Sequence, residues 1–415
     1  MSLPIVTSAP GKVIIFGEHS AVFKEPVIAA SVSSLRSYLL VTATDDENVI
    51  ELDFPDIKLD NKWKRQDIAV LKECAVSAAS SSHNELSQEL GVALEPLLAN
   101  LNDPLHYHAA YCFLYLYTCL CGAKTGLKFT VKSTLPIGAG LGSSASISVC
   151  LALAMGILGG HISDSGDKLS NSDLSFVNTW SFIGEKCING TPSGIDNAVA
   201  TYGNAVSFQR QDDNTIKFER ILDFPQIPLI LTNTKIPRST KTLVGNVVKL
   251  AEREPLITKP ILSAMGHIAT RGAEILSSLS DENYPVLLEL VRLNHGLLVS
   301  LGVSHPGLEV IRSLSDTMKI GSTKLTGAGG GGCALTLIDK NASDSEIDEF
   351  KSQLQKDHGY VSLSTGLGGM GCSYVSSEKL KGHVASLATV FARDTTVEEI
   401  DSVLLPNGGP LSWVH

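Results

Sequence analysis

The sequence predicts two domains, each containing both strands and helices, and three observations carry that prediction. At 415 residues the chain exceeds what one hydrophobic core ordinarily organises. Short apolar runs bounded by turn residues dominate the opening segment, whereas long helical patterns fill 241–279 and 285–301. Pro225 and Pro228 sit beside the strand-like Leu229-Ile230-Leu231, which sets a boundary and divides the chain into 1–225 and 226–415.

Taken in order, Ile5-Val6 and Val13-Ile14-Ile15-Phe16 read as two strands around a tight turn at Pro10-Gly11. Further strands are expected at 39–42 and 49–52. Residues 56–103 are polar and mixed, with Ser80-Ser81-Ser82 expected in an exposed loop. A helix over 107–121 and a strand over 128–133 follow. Residues 144–158, rich in Ala, Leu and Met and entered from a Gly/Ser cluster, read as a helix. Residues 324–338 read as strand, glycine loop, strand.

Composition excludes several classes of function. A hydrophobic fraction of 43% with 18% charged residues is that of a folded globular chain. A net charge of −10 argues against a nucleic-acid partner, while a few local cations still suffice for an anionic substrate. None of the eight cysteines forms a CxxC pair with zinc-ligand spacing, and Cys119 and Cys121 suit buried, reduced thiols. The N-terminus lacks a basic region followed by an apolar run, and the apolar stretches 109–120 and 147–160 are too short to span a bilayer. A soluble, cytoplasmic protein without membrane segments is therefore expected.

Five segments carry chemistry. Pro136-Ile137-Gly138-Ala139-Gly140-Leu141-Gly142-Ser143-Ser144 follows an expected strand and opens an expected helix. Bare backbone and free helix-start N–H groups suit an anion, although a serine-capped glycine turn has the same pattern. No lysine follows the last glycine, so this is not the GxxxxGK[ST] phosphate loop. In Pro10 to Val22, the polar Lys12, Glu18, His19 and Ser20 adjoin strongly apolar residues, which tilts toward a pocket. Glu185 is a candidate magnesium ligand, and Asp196 is either a site carboxylate or a helix N-cap. Gly329-Gly330-Gly331-Gly332 lies between apolar strands, where close approach of a ligand or a neighbouring domain, or a flexible hairpin, accounts for the bare backbone. Pro237-Arg238-Ser239-Thr240-Lys241 adds two cations and two hydroxyls suited to a carboxylate or phosphate.

Three glycine-rich motifs in this order resemble the GHMP kinases. Details at Gly11-Lys12, 17–22, 191–199, 237–240 and 326–333 are most similar to that family's mevalonate kinases, the fungal ones above all. The resemblance is dense over 1–40, 105–205, 225–245 and 290–338, and weak over 45–104 and after 340. It implies an α+β, two-domain GHMP kinase fold: an N-terminal domain with a left-handed βαβ unit, a ferredoxin-like α/β C-terminal domain, and ATP in the cleft. It further implies phosphorylation of the C5 hydroxyl of mevalonate, with ATP and Mg2+ as cofactors. Lys12 and Asp196 would be catalytic, and Ser144 and Glu185 would hold the metal. Lys12, Ser133, Gly138, Ala139, Gly140, Leu141, Gly142, Ser143 and Ser144 would hold the nucleotide. Glu18, His19, Ser20, Thr240 and Arg238 would hold the substrate. Family behaviour implies a homodimer and feedback inhibition by farnesyl or geranyl diphosphate. Rival readings are a related kinase acting on phosphomevalonate or homoserine, and a non-catalytic ligand sensor. The scarcity of clustered cations weighs against a phosphorylated substrate, and the joint presence of Lys12, Asp196, Ser144 and Glu185 weighs against a sensor.

Overall fold

The first strand departs from its expectation. In the computed structural model, which describes all residues except 1–2, 81–84, 123, 137, 165, 213–214, 223 and 407, β1 (Ile5–Phe16) runs unbroken through Pro10-Gly11. The turn residues are absorbed instead by a bulge: β1 pairs antiparallel with β2 (Val27–Ala43), and the register jumps between Pro10↔Arg36 and Gly11↔Val32. Ser81 and Ser82 of the expected loop, and Ile137 of the glycine run, lie outside the described residues.

β3 (Val49–Phe54) and β4 (Leu59–Lys64) form a hairpin, followed by α1 (Arg65–Ala69), α2 (Lys72–Ser80) and α3 (Gln88–Leu98). The mixed stretch 56–103 thus folds onto the next helix, α4 (Pro104–Cys121), with Trp63 stacked on Phe113 at 5.7 Å. Asp103 caps α4 by accepting from the N–H groups of Leu105 and His106. β5 (Leu127–Ser133) returns to pair with β2 and, in parallel, with β3. α5 (Ser143–Gly159) is apolar all round and buried along nearly its whole length, as that pattern requires. α6 (Asn171–Asn189) and α7 (Ile195–Tyr202) pack against it, and the hairpin β6 (Ala205–Arg210) and β7 (Ile216–Ile221) extends β2.

β8 (Ile227–Asn233) covers the strand expected at Leu229-Ile230-Leu231. The long helical pattern after it divides into α8 (Thr240–Arg253) and α9 (Pro255–Leu276), because Pro255 cannot continue the preceding hydrogen-bond ladder but suits the start of a new helix. α10 (Tyr284–Ser300), α11 (Pro306–Met318), β9 (Gly321–Leu325), β10 (Cys333–Ile338), α12 (Asp344–His358) and β11 (Val361–Leu367) complete an antiparallel sheet in the order β11-β8-β10-β9 with its helices. The pairing Leu367↔Val32 joins β11 to β2, so the strands of both halves belong to one twelve-stranded sheet.

The chain then returns. β12 (Ser373–Val375) pairs with β1, and α13 (Ser377–Leu380), α14 (Val384–Val390) and α15 (Val397–Leu404) bury Leu380, Leu387, Ile400 and Leu404 with Val6, Tyr38 and Leu40 of the first half. Another apolar core crosses between the halves, joining Val13, Leu135 and Leu141 to Leu229, Leu231 and Leu287. No helix among the described residues is long and apolar enough to cross a membrane.

Candidate active site

After β5 the chain turns back toward α5 through Gly138, Gly140 and Gly142, all at positive φ. Gly142 occupies the N-cap of α5 in the left-handed region, with no side chain satisfying the helix-start amides. Those N–H groups and the helix dipole face an open cavity and favour an anion there. The backbone N–H of Lys12 donates to the Leu141 carbonyl at 2.8 Å, fixing the loop against β1. A Cβ on Gly142 would stand 3.0 Å from Lys12 Cγ and 3.5 Å from Asp196 Oδ2. Glycine is required there by φ and by the side chains that cross it.

Lys12 Nζ lies 3.1 Å from Asp196 Oδ1. Asp196 sits in the first turn of α7 behind the N-cap Gly194, so it is not itself the cap and its carboxylate is free to face Lys12. Glu185 on α6 is buried nearby. Asn189 bridges it to the loop, donating at 3.2 Å to Glu185 Oε2 and at 3.3 Å to Ser144 Oγ. Burial pushes the Glu185 carboxyl up to about 7, helped by the negative Asp196 and opposed by Ser144, Asn189 and Lys12. Its Oε1 is buried without a hydrogen-bond partner. An orphaned carboxylate oxygen beside a serine hydroxyl and a second carboxylate is a donor set that fits a hard divalent cation.

The facing wall comes from stitching the end of β1 to β9 and its glycine loop. Glu18 and Lys324 form a fully buried ion pair, and Asn294 donates to the other Glu18 oxygen at 3.2 Å. Burial raises the Glu18 carboxyl and lowers the Lys324 ammonium, and each offsets the other's shift. Thr326 Oγ1 donates to the Ile14 carbonyl at 3.0 Å. His19, at the unusual φ of 60°, is held by Nε2 at 2.8 Å from the Ala328 carbonyl. A carbonyl only accepts, so Nε2 carries the hydrogen and Nδ1 is left as a bare acceptor, buried and unpartnered. Burial lowers the pKa of this imidazole, which keeps it neutral. From the second half Arg238 reaches across the cleft, donating at 2.8 Å to the Ala139 carbonyl and lying flush against Gly140 and Gly332.

Together these residues enclose a cavity of about 760 Å³. Of the positions singled out in the sequence, Lys12, Glu18, His19, Gly138, Ala139, Gly140, Leu141, Gly142, Ser143, Ser144, Asp196, Arg238 and Thr240 line it. Three stand behind the wall. Glu185 touches it through Asn189, Ser20 is fully buried with its hydroxyl unpartnered, and the Ser133 hydroxyl is tied to Ser37 and the Leu135 N–H. Sequence reasoning missed Lys324, Asn294 and Asn189. It also missed the cavity's apolar end, made by Leu52, Phe54 and Ile57 with Leu105, Phe113 and Val131. The alternation of Leu52 and Phe54 was a visible signal, but it does not say what the apolar face of a strand meets.

The chain is similar to known proteins along most of its length. The GHMP kinases N terminal domain family matches residues 105–204, and the GHMP kinases C terminal family matches residues 275–369. The mevalonate kinase of Saccharomyces cerevisiae is 54% identical over 100% of both chains. The chain belongs to the mevalonate kinase family of GHMP kinases. The human mevalonate kinase is 34% identical over 92% of this chain and 98% of its own. Among solved structures, the mevalonate kinase of Methanococcus jannaschii superposes with a TM-score of 0.64 at 23% identity, covering 87% of this chain and 98% of that one. That of L. major, in complex with R-mevalonate, gives 0.61 at 24%, covering 88% and 96%; both confirm the two-domain α+β GHMP fold. Within this family member, Asp196, Glu185 and the glycine loop fall in the N-terminal match and Lys324 in the C-terminal one. Lys12, Glu18, His19, Arg238 and Thr240 fall in neither, and the fold brings them to the same cavity.

Proposed function

We propose that this kinase transfers the γ-phosphoryl group of ATP to the C5 hydroxyl of (R)-mevalonate, yielding 5-phosphomevalonate and ADP in isoprenoid biosynthesis. The observation that carries the reading is the Lys12–Asp196 pair at 3.1 Å, set at the mouth of the glycine loop in a chain 54% identical to a fungal mevalonate kinase. The C5 oxygen attacks γ-phosphorus, the bond to the β,γ-bridging oxygen breaks, and the hydroxyl proton passes to Asp196. Lys12 and the amides at the start of α5 face the negative charge that spreads over the transferring group. Glu185 and Ser144 would hold magnesium, which supplies further charge neutralisation on the phosphates when bound.

The polar end of the cavity suits mevalonate. Neutral His19 offers Nδ1 as an acceptor for a substrate hydroxyl, while Arg238 and Thr240 suit its carboxylate. With both its oxygens engaged by Lys324 and Asn294, Glu18 acts by holding the His19 turn rather than by meeting the ligand. The apolar end, with Leu52, Phe54 and Ile57, suits the adenine base. Homodimer formation, inhibition by prenyl diphosphates and a cytoplasmic location belong to the same reading. A coupled ADP-release assay with Mg-ATP and mevalonate, phosphomevalonate or homoserine tests it. Turnover confined to mevalonate is expected, and silence with all three despite nucleotide binding would favour a sensor.

A further inference from the structure

We infer that the C-terminal segment braces the nucleotide end of the cleft, acting through Lys132 and Asp56 as positioning residues. The inference rests on the reading above that the apolar end takes the base. Lys132 on β5 is almost wholly buried, its side chain 1% exposed. A buried ammonium is tolerated only where its donors are met. Its acceptors come from two sides: Asp56 Oδ1 at 3.1 Å and, 261 residues further along the chain, the Arg393 carbonyl at 3.2 Å.

Asp56 passes this constraint to the cavity wall. Its second oxygen, Oδ2, accepts from the Ser133 N–H at 2.8 Å, so one carboxylate pins the short 55–57 turn to the end of β5. On either side of that turn residue stand Phe54 and Ile57, which line the apolar end. His106 Nε2 donates to the Ile57 carbonyl at 2.6 Å, tying the same turn to the start of α4 beside Leu105. Wall and strand are thus locked together without any of the three anchoring groups facing the cavity.

The far anchor has its own support. Arg393 follows Val390 and Phe391, both buried in the core that the C-terminal segment shares with Val6, Tyr38 and Leu40. Packing of that core therefore sets where the Arg393 carbonyl lies, and Lys132 carries its position to the 55–57 turn. Asp56 alone would satisfy the charge of Lys132, so the additional bond to Arg393 couples a remote segment to the wall. Loosening the brace displaces the base end and leaves the Lys12, His19 and Arg238 end in place.

The test uses the full chain and a fluorescent ATP analogue titrated to equilibrium without acceptor, for wild type, Asp56→Asn and Lys132→Met. The brace predicts a Kd about tenfold higher in both variants, with KM for mevalonate unchanged at saturating ATP. A purely structural pair would lower Tm and leave Kd where it was. Amide hydrogen exchange on the wild type provides a readout that needs no variant to fold: nucleotide should protect 390–395 as well as 54–57. Unchanged Kd in both variants overturns the brace. A rise in Asp56→Asn alone, or protection confined to 54–57 and the glycine loop, overturns the part played by the C-terminal segment. Failure of the wild type to bind the analogue at all would overturn the reading of the cleft instead.

Discussion

The two ends of the cleft are built on different principles. At the polar end, short sequence motifs supply the chemistry almost directly: a glycine loop runs into α5, a lysine lies on β1, and an aspartate sits in the first turn of α7. At the apolar end, ordinary hydrophobic residues from β3, the 55–57 turn, α4 and β5 are gathered by tertiary structure, with no motif among them. In the proposed reaction the first end holds charge where charge develops, so substitutions there should cost rate. The second contributes burial and shape, so substitutions there should cost affinity.

Lys12→Met should break this division most severely if it is wrong. The account expects turnover to fall by about 100- to 1000-fold with nucleotide affinity little changed, measured by ADP release beside equilibrium binding. Glu185→Gln comes next. It should raise the magnesium concentration needed for half-maximal rate by about 100-fold, read from a metal titration at fixed ATP. On the other side of the comparison, Ile57→Ala should raise the apparent KM for ATP by about tenfold through lost apolar burial and leave kcat close to wild type. A larger effect on kcat than on KM would mean that the apolar end takes part in positioning the reacting groups.

The mildest test concerns pH. Burial holds the His19 pKa below its ordinary 6.5, so the imidazole is neutral at physiological pH and Nδ1 accepts. Protonation would remove that acceptor. KM for mevalonate should therefore stay flat down to pH 6.5 and rise only below it, by a few-fold at first. Folding stability should decline over the same acidic range, because the unfolded chain takes up the proton more readily. A His19→Gln variant, which does not titrate, should lose the KM dependence.

What could be read from the sequence follows the same division. Residues 138–144 could be read as an anion cradle or as a serine-capped glycine turn, and the structure adds positive φ at Gly138, Gly140 and Gly142. Lys12 and Asp196 were visible as candidates, yet only the fold sets them 3.1 Å apart. Lys324 lies in the strand before the glycine run, but its partner Glu18 lies in the other half of the chain and no local pattern pairs them. Pro10-Gly11 promised a turn, and the structure used it as a bulge because β2 is long enough to pair on both sides of it. The stretch 56–103 looked featureless because β4 and α1–α3 gain their order from packing against their neighbours, α3 on α4 among them, rather than from strong local signals. Its best contribution, Ile57 in the cavity wall beside Phe54, depends on a carboxylate, Asp56, bonded to the Ser133 N–H 77 residues later.

The central claim is that Asp196 takes the acceptor's proton in a site already formed by the rest of the cleft. Asp196→Asn, assayed for nucleotide binding and for mevalonate-dependent ADP release on the same preparation, tests it most directly. The account predicts wild-type nucleotide affinity with turnover reduced by at least about 100-fold. Turnover within a few-fold of wild type would contradict it and would mean that the Lys12–Asp196 pair only holds α7 in place.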